Sequence, residues 1–182
     1  MVPPPGAWAR LAQRPLLVTV RDAAEGGKRR LTTLERRQMF LEFLPRASWI
    51  DVEIASLKAL REVVAAARAG GVGLVASFHD FHGTPTRRKF RSLADRAIGE
   101  KAAVLKIATR TDDALALARL LEFIGTETRI PVSVMGMGRL GRASRLSLAA
   151  AGSILNYVSL GPPAAPGQWP ADLFRRRLAE LR

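Results

Sequence analysis

The sequence predicts an α/β fold on a parallel sheet, and two observations carry that prediction. First, six short apolar runs rich in β-branched residues alternate with six segments of helical length, the pattern left by strands joined through right-handed helical crossovers. Second, the polar residues Arg21, His79 and Lys106, and the stretches around Arg145 and Gln168, fall at the C-terminal ends of those runs or just beyond them. An open doubly wound sheet satisfies the alternation as well as a (β/α)₈ barrel does. The barrel is favoured because it brings all of those strand ends to one pocket. The expected architecture is a TIM-type barrel forming a single domain over residues 1–182. It is N-terminally incomplete, with about six of the eight βα units of a full barrel.

Each element has a local reason. Met1 to Gly6 is rich in proline and expected to be irregular, and Ala7 to Gln13 reads as the end of a helix. Leu16 to Val20 is a compact run with β-branched residues, hence a strand, and Arg21 to Gly27 is a polar loop with two glycines. Thr32 or Thr33 opens a helix over 34–43. Trp49 to Ile54 is the second strand, with Asp51 and Glu53 on one face and Ile50, Val52 and Ile54 on the other. A helix over 57–69 closes at Gly70-Gly71. Val72 to Phe78 is the third strand and runs into His79-Asp80-Phe81-His82-Gly83. Pro85 at the first helical position then starts a helix to Ile98. The fourth strand lies within Lys101 to Thr109, and Thr111 or Asp112 caps a helix that reaches Ile124. Pro131 to Met135 is the fifth strand, Ser144 to Ala151 a short helix, Ile154 to Leu160 the sixth strand and Pro170 to Leu181 a closing helix.

Composition limits the function. The chain is 48% apolar and has no cysteine, so it is globular in composition, and disulfides and thiolate metal sites are excluded. No run approaches the roughly 20 apolar residues of a membrane span. Met1 to Gly6 lacks the basic-then-apolar order of a signal peptide, and a cytoplasmic protein is expected. The formal net charge of +13 raises the question of a nucleic-acid partner. The denser clusters, Lys28-Arg29-Arg30, Arg87-Arg88-Lys89 and Arg175-Arg176-Arg177, are short, and no aromatics interleave with them as a stacking platform requires. Neither nucleic acid nor a membrane is an expected partner; an anionic small substrate fits the charge equally well.

The chemistry is organised around Lys106, which stands between Val104-Leu105 and Ile107-Ala108. A charged amine is costly to bury there. It can snorkel at the strand end or pair with a carboxylate. The functional alternative is a catalytic amine, since burial disfavours the ammonium and frees the lone pair to attack a carbonyl. His79 and His82 are the only two histidines. A metal pair would need Asp51, Glu53 or Asp80 as a third ligand, without further histidine or any cysteine, and no metal is expected. His79 either hydrogen-bonds at a strand end or moves protons. An imine-forming lysine beside a proton-moving histidine is coherent chemistry, because the imine is an electron sink that acidifies the protons alpha to it. Gly136-Met137-Gly138-Arg139-Leu140-Gly141 has the G-x-G-x-x-G spacing between a strand and a helix. It lies late in the chain, and no acidic residue ends a strand about 20 residues further on, so no dinucleotide is expected there.

The residues converge on a family. LLVTVRDAAEGG (16–27), WIDVEI (49–54), SFHDFHGTP (77–85), VLKIA (104–108), MGMGRLGRASRL (135–146), GSILNY (152–157) and APGQ (165–168) occur in order over nearly the whole chain. In these segments the chain resembles type I 3-dehydroquinate dehydratase of the shikimate pathway. The resemblance implies a (β/α)₈ barrel, a lyase that dehydrates 3-dehydroquinate to 3-dehydroshikimate, and no metal or organic cofactor. It implies that Lys106 is the Schiff-base lysine, that His79 is the general acid/base and that Glu25 orients that histidine. Arg145 matches the arginine that clamps the substrate carboxylate, and Arg21 and Gln168 match further substrate-binding groups. The expected partners are the small substrate and a second copy in a homodimer. The chain departs from the family in two places. Nothing before Leu16 matches the family's first two strands or the Glu-x-Arg motif on the second, and Ala164 or Ala165 stands where the family has a serine. A catalytically degenerate or truncated homologue, acting as a binding or assembly module, is the alternative reading.

Overall fold

The computed structural model describes residues 14–163 and 167–181, and strand and helix alternate in them as far as the helix Gly141–Ala150. The expectations for Met1 to Gln13, and for Ala164 and Ala165, lie outside the described residues. The chain divides into two units, one running to Ser77 with 101–103, the other holding 78–100 and everything from Val104 onward. The first contains β1 (Leu17–Thr19), α1 (Thr33–Phe43), β2 (Trp49–Glu53), α2 (Arg61–Ala69) and the start of β3 (Gly73–Asp80). The second contains the end of β3, α3 (Arg87–Gly99), β4 (Val104–Arg110), α4 (Ala114–Thr126), β5 (Val132–Met137), α5 (Gly141–Ala150) and α6 (Ala171–Ala179). Strand order follows chain order, β1-β2-β3-β4-β5. The pairing is parallel, with Val18 opposite Ile50, Ile50 opposite Leu74 and Lys106 opposite Ser133.

Helix starts follow the side chains that can satisfy free backbone N–H groups. Thr32 accepts from Glu35 N while Glu35 reaches back to Thr32 N at 2.7 Å, a complete capping box on α1. Such a cap contributes about 1 kcal/mol. Thr86 accepts from Lys89 N, so α3 begins at Arg87 and Pro85 lies outside it. Asp113, not Thr111 or Asp112, caps α4 by accepting from Ala116 N at 2.8 Å.

Both faces of β2 and of β4 are buried, as parallel strands under crossover helices require. In the first unit Ile50, Val52, Val63 and Phe40 form the core. In the second, Leu105, Ile107, Leu120, Val134 and Leu148 are buried, and Phe90 of α3 stacks on Phe123 of α4 at 4.8 Å between centroids. The expected sixth strand, Ile154 to Leu160, is not a strand. Ile154 N still donates to Val132 O at 3.1 Å, but the carbonyl of Leu155 is taken by Ser133 Oγ and that of Ser153 by the Asn156 amide. Side chains have replaced the ladder, leaving a single parallel bridge from Ser159 to Pro170. Among the described residues no helix is long and apolar enough to cross a membrane.

Candidate active site

Lys106 occupies the third of seven positions in β4, inside the strand rather than at its end, and is 5% exposed. The snorkelling alternative is thereby removed. In a parallel pair, partners in register share a face, so Lys106 and Ala108 lie on the same face as Ser133 and Met135 of β5. Lys106 Nζ sits 4.4 Å from the centroid of the Tyr157 ring.

Arg145 reaches this face from α5. A Cβ on Gly136 would come 2.1 Å from Ser144 Oγ. Its absence lets Ser144 pack against β5, and the next residue is Arg145. Nη1 of Arg145 lies 3.6 Å from Met135 Sδ and donates to the Tyr157 carbonyl oxygen at 3.3 Å. Arg145 is 6% exposed, and its buried Nε has no hydrogen-bond partner. No carboxylate among the described residues pairs with it. Burial accordingly holds its pKa below the usual arginine value. A buried cation without a counter-ion is a receptor for an anion, and the fork of a guanidinium suits a carboxylate. Gln168 follows Gly167, whose missing Cβ permits close approach to Gly141 at the start of α5, and Trp169 Nε1 donates to Arg142 O at 2.9 Å.

His79 is the seventh of eight residues of β3 and is half-buried. His82 lies in the exposed turn that follows, where its backbone N–H donates to Asp80 Oδ1 at 2.9 Å.

The first unit holds a second cluster. Arg21 donates to Asp51 Oδ1 at 2.9 Å, to Glu53 Oε1 at 3.0 Å and to Ser77 Oγ at 2.7 Å. Arg36 of α1 binds the other oxygen of Glu53, and also Val20 O, Asp22 Oδ2 and Ser56 Oγ. Asp51 and Glu53, weighed from the sequence as metal ligands, are fully buried and bonded to arginine. Glu25 stands in the short 3₁₀ turn Ala23–Glu25 after β1, set by Asp22 accepting from Ala24 N.

The G-x-G-x-x-G stretch has a packing explanation. Gly138 has φ +79°, and a Cβ there would meet Asp112 Oδ1 at 2.2 Å. That carboxylate accepts from the Arg139 N–H at 2.7 Å, so an acidic side chain already occupies the donor that a phosphate would need. A groove of about 810 Å³ between α3 and α4 holds none of the expected site residues. Arg87 and Arg129 in its wall pair with Glu122 and with Asp95 and Glu127.

Sequence reasoning missed Tyr157, Met135 and Arg36. The one available signal was the position of Tyr157 as the chain's only tyrosine, in the matched GSILNY segment.

A parallel βα scaffold thus brings a buried amine on β4 and a buried guanidinium from α5, which lacks a counter-ion, to one face of the β4–β5 pair. A family model described as type I 3-dehydroquinase matches residues 7–181. The chain belongs to that family. It is 36% identical over 158 residues to a 3-dehydroquinate dehydratase of Methanocella arvoryzae, a match covering 87% of this chain and 71% of the relative. It is 32% identical over 178 residues to the catabolic 3-dehydroquinate dehydratase of Acinetobacter baylyi, covering 94% of this chain and 65% of that one. The crystal structure of the Geobacillus kaustophilus 3-dehydroquinate dehydratase superposes with a TM-score of 0.85 at 29% identity, covering 92% of this chain and 67% of the other. The type I enzyme from Clostridium difficile, solved with covalently modified comenic acid, superposes with a TM-score of 0.83 at 28% identity, covering 92% and 68%. The chain thus spans about two thirds of the length of these relatives.

Proposed function

We propose that this chain dehydrates 3-dehydroquinate to 3-dehydroshikimate through an imine on Lys106. One observation carries the reading: a buried amine and a buried guanidinium lacking an anion flank one residue, Tyr157, which touches both. That arrangement takes a substrate with a carbonyl and a carboxylate. Arg145 holds the carboxylate, and Lys106 Nζ attacks the ketone carbon. The carbinolamine loses water to give the imine, which draws electrons from the adjacent carbon. His79 removes the proton alpha to the imine carbon and then protonates the departing hydroxyl, so that a second water leaves as the carbon-carbon double bond forms. Water adds back to the imine, releases the unsaturated ketone and restores the amine, for a net loss of one water. By family resemblance Glu25 is a further catalytic group, and Arg21 and Gln168 are further substrate-binding groups. The structure of a relative with covalently modified comenic acid supports a covalent route. The reading extends to a cytoplasmic homodimer, for which light scattering gives the mass.

The test is a dehydratase assay that follows appearance of the conjugated ketone. The wild-type chain is expected to turn over, and Lys106→Met to lose turnover while keeping its melting temperature. Turnover that survives Lys106→Met would overturn the assignment.

A further inference from the structure

The proposed chemistry gives Tyr157 no role, yet it bridges the two charged groups. Its ring centroid lies 4.4 Å from Lys106 Nζ, and its carbonyl oxygen accepts from Arg145 Nη1 at 3.3 Å. The segment that carries it is pinned on both sides. Ser133 Oγ donates to Leu155 O at 2.7 Å, and Ser159 N donates to Trp169 O at 2.9 Å. Ser133 is also the register partner of Lys106. The strand pair that places the amine therefore also places the loop that brings the ring to it.

A lysine side chain is long and rotamer-rich, so an amine on it needs something to fix its position. The negative face of an aromatic ring attracts N–H groups on an ammonium and, more weakly, on a neutral amine. We propose that Tyr157 is a positioning residue, whose ring fixes the amine of Lys106 for attack while its backbone carbonyl fixes Arg145. This inference rests on the dehydratase reading and deepens it. The two contacts use different atoms of one residue. Replacing the side chain removes the ring and leaves the carbonyl, so turnover should fall without loss of carboxylate binding.

Two measurements on the full chain test this. The first needs no substrate. The chain has five lysines, so ¹³C-lysine labelling resolves the ε-methylene signals, and the ring should shift that of Lys106 upfield. The shift is expected in the wild type and in Tyr157→Phe, and is expected to collapse in Tyr157→Leu. The second is kinetic. Tyr157→Leu should lower kcat for 3-dehydroquinate by about threefold, the scale of a lost N–H···π contact to the neutral amine. Its KM should stay near the wild-type value, and Tyr157→Phe should restore kcat. A Leu variant that keeps the shifted signal, keeps kcat, or loses kcat and KM alike overturns the inference while wild-type turnover stands. A wild type with the shifted signal and no turnover overturns the dehydratase reading and this inference with it.

Discussion

Arg21 donates from Nη1 to Glu53 Oε1 at 3.0 Å, and a fully buried carboxylate thereby fixes where Arg21 points. Arg36 holds the other oxygen, and the Asp22 N–H donates to Oε1 at 2.8 Å. Burial by itself raises the Glu53 pKa. The Asp22 N–H and the Arg21 and Arg36 guanidiniums outweigh it and hold the carboxyl below the ordinary range.

A carboxyl with a lowered folded-state pKa stabilises the fold above its ordinary value, about 4.3, and that stabilisation is lost as pH falls through the folded pKa. Denaturant midpoints of the wild type should therefore drop on acidification below that value. Glu53→Gln should flatten this dependence and cost on the order of 3 kcal/mol at neutral pH, because the buried carboxylate that Arg21 and Arg36 share is lost and each keeps one acidic partner, Asp51 or Asp22. Parallel pH curves for the two proteins would contradict the account.

Arg145 is buried with its charge uncompensated, which costs stability in the free protein. Arg145→Met is expected to melt at or above the wild-type temperature and to bind substrate roughly 10- to 100-fold more weakly, the worth of one charge-assisted contact. A large fall in melting temperature would show that the arginine is structural.

The two histidines should separate. His79→Ala is expected to abolish dehydration and leave imine trapping intact, because the amine and the proton carrier are different groups. His82→Ala should be mild, since its backbone rather than its ring is held in the Asp80 turn. Equal losses would contradict this division.

Gly136→Ala should destabilise by about 1–3 kcal/mol, because its new Cβ would meet Ser144 Oγ at 2.1 Å and Thr111 Oγ1 at 2.9 Å. Ser144→Gly in that background should recover part of the loss in melting temperature. No recovery would mean that the clash lies elsewhere.

Strands with apolar runs were legible in the sequence because burial on both faces leaves few alternatives: β4 and β5 differ from expectation only at their ends. The segment 154–160 also reads as a strand, and it fails because Ser133 and Asn156 take its neighbouring carbonyls. Such side-chain competition has no periodicity to read. Lys106 stood out because an amine within an apolar run is rare, and Arg145 only through family resemblance, as one of many arginines. Tyr157 and Arg36 act through contacts made by a ring face, a backbone carbonyl and a residue far along the chain. None of those leaves a mark in local sequence.

A covalent bond between Lys106 and the substrate is tested most directly by borohydride reduction in the presence of 3-dehydroquinate. Peptide mass spectrometry of the reduced protein is expected to place one adduct on Lys106. An adduct on Lys58 or Lys101 with Lys106 unmodified, or turnover with no adduct on any lysine, would contradict the account.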